Sequence, residues 1–534
     1  MRKFLLVLLF AVFAIIGVAC SNSESMEGHD MSKMNNSENT QNVKDTSNKN
    51  SSTTEETEIK TGNEFTITAK EAVNKFDEDT SLPVWTYDGS VPGTQLKVKQ
   101  GERLKIHLKN ELPEPVTIHW HGLPVPNSQD GIPGVTMNAV QPGKTFTYEF
   151  IATVPGTYWY HSHQDSVNQI DKGLYGTLIV EGTGEKVDKD YTLVLDEWIS
   201  KPGKDDMDMS QGNMEGMDHS NMDMGGANSK NGEREGMDHS GMDMEGHDMS
   251  MYDLYTINGK SGDSIPSLTV KEGDRVKVRL VNAGYMSHKI HLHGHKFQVT
   301  STDGQLIKNP GNLENSLVEI APGERYDIEF TADNPGTWFI ESHDENDAAK
   351  GMKTKIVYEN VDKKRDQTNQ SEQLPVLDIT KYGKNPSSIE KNQYDVEYTM
   401  DLGTSMGKEE MVYTINGKIY PKTEPLNVKK GDLVKVILRN TSKADDHPMH
   451  LHGHFFQVLS KNGKPIEGSP LMKDTLNLKP GEEYVVVFKA DNPGNWMFHC
   501  HDLHHASAGM VTEVKYEGFK PEFVPDPSAN NIPE

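Results

Sequence analysis

Three stretches of this chain alternate apolar and polar positions in the same way. VKQGERLKIHLKN from Val98, VKEGDRVKVRLVN from Val270 and VKKGDLVKVILRN from Val428 align without a gap. Alternation with a period of two predicts half-buried strands. Each copy runs on to a Pro-Gly turn, at Pro142-Gly143, Pro322-Gly323 and Pro480-Gly481, and then to a second Pro-Gly that opens an aromatic strand, in PGTYWYHSH, PGTWFIESH and PGNWMFHCH. YTINGK also occurs twice, from Tyr255 and Tyr413. Short strands between Gly, Pro and Asn turns predict antiparallel β-sandwiches rather than helical domains. At 534 residues the chain exceeds a single core, and the repeats set the number of modules at three. They span residues 63–186, 187–360 and 394–518, with a linker over 361–393 and a tail over 519–534.

The amino terminus has a different pattern. Arg2 and Lys3 precede an apolar run from Phe4 to Ala19, too short for a comfortable membrane span, which reads as a signal peptide over residues 1–20. Cys20 follows Gly17, Val18 and Ala19, a string that resembles a bacterial lipoprotein cleavage site with Gly17 where Leu is usual. The product is then a lipoprotein at the cell surface, or a secreted protein if cleavage is ordinary. Residues 21–62 are rich in Ser, Asn, Thr and charge and read as a disordered polar tether. The net charge of −26, with no Lys/Arg-rich run, argues against nucleic acid and for cationic substrates or metal ions.

Only two cysteines occur, and with Cys20 at the lipid-anchor position, Cys500 reads as a ligand rather than half of a bridge. It stands in WMFHCHDLHHASAGM, residues 496 to 510. On a strand Cys500 faces one way while His499 and His501 face the other, so one segment serves two metal sites. His505 and Met510 follow at a loop spacing that lets a thiolate, an imidazole and a weak thioether converge. A second imidazole from His447 completes the donor set of a blue-copper electron-transfer site.

Four histidine motifs, IHWHG (His119, His121), YHSH (His161, His163), HPMHLHGH (His447, His450, His452) and HCH, resemble the signature of the multicopper oxidases over nearly all of residues 63 to 518. The resemblance implies an all-β fold of three cupredoxin-like Greek-key β-sandwich domains and four copper ions per monomer. It implies His447, Cys500, His505 and axial Met510 at a type 1 copper, and His119 and His450 at a type 2 copper. The type 3 pair is implied at His121, His161 and His501 for one ion and His163, His452 and His499 for the other. The first and third modules then pack together around the cluster. Asp130, in NSQDGIPG, matches an acidic residue that delivers protons in many members, although Asp-Gly is also ordinary turn chemistry. Some relatives have Glu just before the ligand that His505 matches, where this chain has His504.

In the second module SHKIHLHGHKF, with His288, His291, His293 and His295, mirrors the third module's cluster. Where the third has His499, Cys500 and His505, however, the second has Glu341, Ser342 and Asp347; His343 and Met352 remain. No blue site forms without the thiolate, and the module reads as a structural remnant with weak metal binding as the alternative. Residues 201–251 interrupt its first hairpin. They hold eleven of the chain's 25 methionines, Met207, Met209, Met214, Met217, Met222, Met224, Met237, Met242, Met244, Met249 and Met251, with His219, His239 and His247, and almost no Leu, Ile, Val or Phe. Core methionines would come with apolar partners. Thioethers are soft ligands that suit Cu(I), and similar inserts occur in oxidases of copper-resistance systems. The segment reads as an auxiliary Cu(I) collector, or as a loop with no task.

The resemblance implies an exported oxidase passing electrons from a reductant to dioxygen, with Cu(I) favoured in copper detoxification and a phenol or Fe(II) as alternative substrates. A copper-sequestering protein is the non-enzymatic alternative. Relatives that reduce nitrite have two modules per chain and assemble as trimers; three modules in one chain predict a monomer, with membrane contact only through a lipid on Cys20.

Overall fold

The computed structural model describes residues 53–184, 186–201, 251–344, 347, 350–360, 373–384, 393–407 and 411–533. Cys20, the leader, residues 21–52 of the expected tether and all of the Met-rich segment except Lys201 and Met251 lie outside the described residues. Among the described residues the strands form six sheets, and their apolar faces meet in pairs around three cores. In the first, Ile67, Leu104 and Ile106 of a four-stranded sheet meet Leu96, Tyr160 and Leu178 of a five-stranded one. Val278, Leu280 and Ile328 meet Ile290, Ile340 and Ile356 in the second, and Val434, Val436 and Val486 meet Met449, Phe498 and Val514 in the third. This is the cupredoxin-like all-β architecture.

The alternating strings lie where their pattern requires. Along strand Arg103–Asn110, Leu104, Ile106 and Leu108 are buried while Lys105 and Lys109 are exposed. The second copy, Arg275–Asn282, is buried on both faces instead. Its outward Arg279 pairs with Asp190 at 2.7 Å and with Asp327 at 3.3 Å, and donates to Thr157 of the first sandwich at 2.9 Å. A neighbouring sandwich covers that face, and its charges are paired because unpaired ones would be costly there.

The sheets are not purely antiparallel, as the short alternating strands had suggested. Glu64–Lys75 runs parallel to Arg103–Asn110, Lys189–Trp198 to Arg275–Asn282, and Val396–Met406 to Leu433–Asn440. Alternation specifies which face is buried but not the direction of the neighbouring strand.

Residues 53–62 of the tether are more ordered than their composition suggested, and described parts of the linker and tail also bond to the sandwiches. Within the expected tether, Thr53 bridges Val73 and strand Ile59–Thr61 pairs with Gly93–Lys99, because a sheet edge offers main-chain partners regardless of side chain. Within the expected linker, Val376 bridges Leu317, Tyr382 enters the second core, and Glu467 donates its backbone N–H to the Thr380 carbonyl at 3.0 Å. The tail crosses back to the first sandwich, where Gln164 and Gln141 donate to the carbonyls of Asn530 and Ala529 at 2.8 and 2.7 Å.

The sandwiches are joined by a fourth apolar cluster that includes Ile132, Trp159, Trp198, Tyr252, Tyr285 and Met497. A fully buried guanidinium also joins them. Arg325, of the second sandwich, donates to both carboxylate oxygens of Asp474 in the third, at 2.8 and 2.6 Å, and to the Thr157 carbonyl in the first at 3.2 Å.

Candidate metal centre

Strand register assembles the histidines. His119–His121 pairs with Gly156–His161 so that His119 faces His161, and His447–Leu451 pairs with Asn495–Cys500 so that His450 faces His499 and Met449 faces Cys500. Contact between the first and third sandwiches then closes the two halves. Asn127 donates to the Asn495 carbonyl at 2.7 Å, and Asn492 to the Val125 carbonyl at 2.9 Å. The rings of His119 and His452 stack at 4.0 Å and those of His121 and His450 at 3.7 Å. All eight residues, His119, His121, His161, His163, His450, His452, His499 and His501, are buried.

Donor atoms of His163, His452 and His499 lie within 4.8 Å of one another, as do those of His119, His450 and His452. Nε2 of His452 is 3.0 Å from Nε2 of His499. His121, His161 and His501 form a further group, with ring centroids 4.7 to 5.8 Å apart.

One nitrogen of most of these rings is held from outside and the other faces inward. Nδ1 of His119 donates to the Asp130 carbonyl at 2.9 Å, and Nδ1 of His161, His163, His450 and His499 to the carbonyls of Ser162, Pro533, Asp474 and Cys500 at 2.7 to 3.0 Å. Nδ1 of His452 is held by the Asp130 carboxylate at 3.0 Å. His121 is reversed, since its Nε2 meets Thr475 Oγ1 at 3.0 Å and leaves Nδ1 inward. Nε2 of His119, His161 and His450 and Nδ1 of His121 have no hydrogen-bond partner. Burial, then the neighbouring histidines, hold His121, His161, His452, His499 and His501 well below the usual imidazole range, and burial brings His163 to about 3. Buried neutral imidazoles with lone pairs turned to a common space fit a metal cluster. Packing alone does not explain them.

The second constellation lies across the same strand. Cys500 Sγ is 3.9 Å from Nδ1 of His447 and 3.6 Å from Nδ1 of His505, and the two nitrogens are 3.3 Å apart. Nε2 of His447 is hydrogen-bonded with Ser442 Oγ at 2.7 Å, Nε2 of His505 faces Asp502 at 3.3 Å, and Tyr413 stacks on His505 at 3.8 Å. Met510 is fully buried in the same core, its carbonyl bonded to the Cys500 N–H. Burial pushes the Cys500 thiol well above its ordinary value and Asp502 adds to this, so a thiolate here needs a cation beside it.

Asp130 is positioned by its neighbour. Gly131 has φ +82°, and a Cβ on it would lie 1.8 Å from the Ile118 carbonyl oxygen, so only glycine permits the approach that seats Asp130 against His119. Turn chemistry and a place at the cluster therefore coincide.

The family profiles described as multicopper oxidase match residues 68–185 and, in a second profile, residues 228–362 and 390–518. The chain belongs to the multicopper oxidase family. It is 30% identical to the multicopper oxidase MmcO of Mycobacterium tuberculosis over 81% of this chain and 82% of that one. To a copper resistance protein A homolog of Pseudomonas syringae it is 23% identical, over 85% and 92% of the two chains. Among solved structures, the multicopper oxidase of Pseudomonas thermotolerans superposes with a TM-score of 0.60 at 26% identity, covering 86% of this chain and all of that one. Fet3p, described as a multicopper oxidase that functions in iron import, gives 0.69 at 21% identity over 89% and 93%. As a multicopper oxidase the chain is a copper-dependent oxidoreductase that passes electrons from a reducing substrate to dioxygen.

Several residues at this oxidase's centres carried no motif. Asp474 lies 3.3 Å from Nε2 of His121 and 3.6 Å from Nδ1 of His450, with Thr475 beside it. The one available signal was the contrast between copies, since strand register puts Ser316 of the second module in its place. Ser442, Tyr413 and Pro533 gave none. The second module's counterpart of the blue site is filled by an ion triad: His288 lies between Glu197 and Asp347, and Ser342 donates to Asp347 at 2.9 Å.

Proposed function

We propose that this oxidase takes electrons one at a time from a metal-ion substrate, Cu(I) first, and detoxifies copper outside the cytoplasm. In this reading His447, Cys500, His505 and axial Met510 hold a type 1 copper, and His119 and His450 a type 2 copper. His121, His161 and His501 hold one type 3 copper, and His163, His452 and His499 the other. Copper so held supplies one-electron acceptance at the first place and four-electron storage at the second. The chain's own part is connection and order. Cys500 is bonded directly to His499 and His501, and His499 Nδ1 also donates to the Cys500 carbonyl, which makes a short route between the centres. Asp130, against two histidines of different sandwiches, is the group that moves protons toward the cluster.

The observation that carries the substrate reading is a pocket of about 260 Å³ beside His505, lined by Asp445, Asp446, Asp502, Met286 and Tyr285. Three carboxylates and a thioether suit a small soft cation better than a neutral phenol. The Met-rich segment leaves and re-enters the fold beside it. Trp198 pairs with Leu254 across the hairpin, Met251 is exposed, and Tyr252 packs at 5.7 Å on Tyr285, whose ring meets His504 at 4.6 Å. His504 and Tyr285 thus stand between the segment's anchor and His505. The homology to a copper resistance protein supports the same reading, as does the apolar leader ending at Cys20 for export and a lipid anchor.

Dioxygen consumption with Cu(I), Fe(II) and a phenol, before and after removal of residues 202–250, tests the proposal. Tethered Cu(I) donors raise local concentration, so deletion lowers the rate at low Cu(I) about tenfold or more and leaves the phenol rate unchanged. An unchanged Cu(I) rate overturns delivery by the segment, and a phenol rate far above both metal rates overturns the substrate.

A further inference from the structure

The second module holds a histidine cluster that oxygen reduction does not use. His291, on strand His288–Leu292, and His293 and His343, each just past a strand, bring imidazole nitrogens within 4.8 Å of one another. Nδ1 of His291 is 3.3 Å from Nε2 of His343, which is 3.3 Å from Nε2 of His293. Oε1 of Glu341, on the residue paired across the sheet with His291, lies 2.8 Å from Nε2 of His293 and 3.8 Å from Nε2 of His343. Four donor atoms crowd one point. The two imidazole–imidazole separations are those of a tetrahedral ion: two nitrogens bonded at about 2.0–2.1 Å and separated by a tetrahedral angle stand about 3.3–3.4 Å apart.

The geometry points to a mononuclear site for a divalent first-row cation, Zn²⁺ or Cu²⁺, held by His291, His293, His343 and one oxygen of Glu341, separate from the oxidase's copper centres. The donor set is three imidazoles and a carboxylate, a borderline set that suits these ions better than Mg²⁺ or Ca²⁺.

A packing role does not account for the cluster. Nδ1 of the buried His291 meets another imidazole nitrogen, Nε2 of His343, at 3.3 Å, where a histidine kept for packing commonly meets a carbonyl, hydroxyl or carboxylate oxygen. His343 Nε2 faces two imidazoles and a carboxylate, and one proton there serves one of them. Hydrogen bonds behind the cluster hold it in place. His295 donates from Nδ1 to the His293 carbonyl at 3.0 Å and is itself fixed at Nε2 by Tyr358 at 2.6 Å, while the His343 N–H donates to the Lys289 carbonyl at 2.8 Å. Lys353 lies 2.6 Å from the other Glu341 oxygen; it orients the carboxylate and, as a nearby positive charge, lowers the affinity. The His293 and His343 side chains are 18% and 19% exposed, so an ion reaches the site from solvent.

The test uses the full, copper-loaded protein dialysed against Zn²⁺ and, separately, Cu²⁺. Anomalous scattering at the zinc edge locates the first ion, and electron paramagnetic resonance counts the second as one nitrogen-ligated signal beyond those of the oxidase. One ion per chain at the four side chains is expected. The double variant His293→Asn/His343→Asn weakens binding about 100-fold or more while the visible thiolate band and dioxygen consumption persist, which shows that the variant is folded. Glu341→Gln weakens it about tenfold. Binding of either ion at these residues supports the site. Binding of neither, or full binding by the folded double variant, overturns it.

Discussion

Oδ2 of Asp130 lies 3.0 Å from Nδ1 of His452, so a carboxylate of the first sandwich orients a histidine of the third. The same carboxyl group reaches His119 at 3.3 Å. Asp130→Asn keeps the shape and removes the charge, and carboxylate–histidine pairs of this kind are worth about 10–100-fold in activity. Dioxygen consumption falls by that factor at saturating reductant while the visible thiolate band is unchanged. Loss of band and turnover together would instead mark Asp130 as a folding residue.

The tail closes the cluster from the other side. Pro533 accepts from His163 Nδ1 at 2.7 Å, fixing which nitrogen faces inward. Deleting residues 524–534 is expected to lower turnover about 10–100-fold and to reduce the copper content of the purified protein, measured by atomic absorption, with the thiolate band intact.

Cys500→Ser removes the single thiolate at the His447–His505 pair. The intense visible band and turnover with every reductant are lost, whereas copper held by the eight-histidine cluster remains detectable by paramagnetic resonance. Residual turnover at the parent rate would show that electrons enter elsewhere.

Asp445 and Asp446 line the pocket beside His505. Changing both to Asn raises KM for Cu(I) and Fe(II) about tenfold through lost attraction and leaves the phenol KM unchanged. Steady-state kinetics with the three reductants separates the cases.

His288 carries a pH-dependent part of the stability. Burial opposes its charge, but the Glu197 and Asp347 carboxylates on either side raise it to about 10. A base with a raised folded-state value stabilises fully below its unfolded value, near 6.5, and the contribution is lost as pH rises through about 10. Unfolding free energy from denaturant titration should fall between these limits by an amount on the order of a few kcal/mol relative to His288→Gln. A parallel decline in the variant would place the titration elsewhere.

The strand strings, the four histidine motifs and the Cys-His contrast between modules made the sandwich class and the copper chemistry legible, because burial alternation and ligand type are local properties of the chain. Strand direction was not legible, nor was the order within residues 53–62 and 373–384. Those depend on which main-chain groups lie alongside, and polar composition is silent on that. The second module shows the same division, since the lost thiolate could be read directly but the ion triad around His288 needed Glu197, which is distant in the chain.

By itself, then, the sequence determined the kinds of donor atom and their spacing along single strands. The tertiary structure alone decided which donors meet. Asp130 and His452, His163 and Pro533, and Arg325 and Asp474 are brought together by sandwich packing across long separations, and it is packing that excludes water from them. A hydrogen bond or ligand bond acts over about 3 Å, so no linear pattern records a partner that only folding brings within reach.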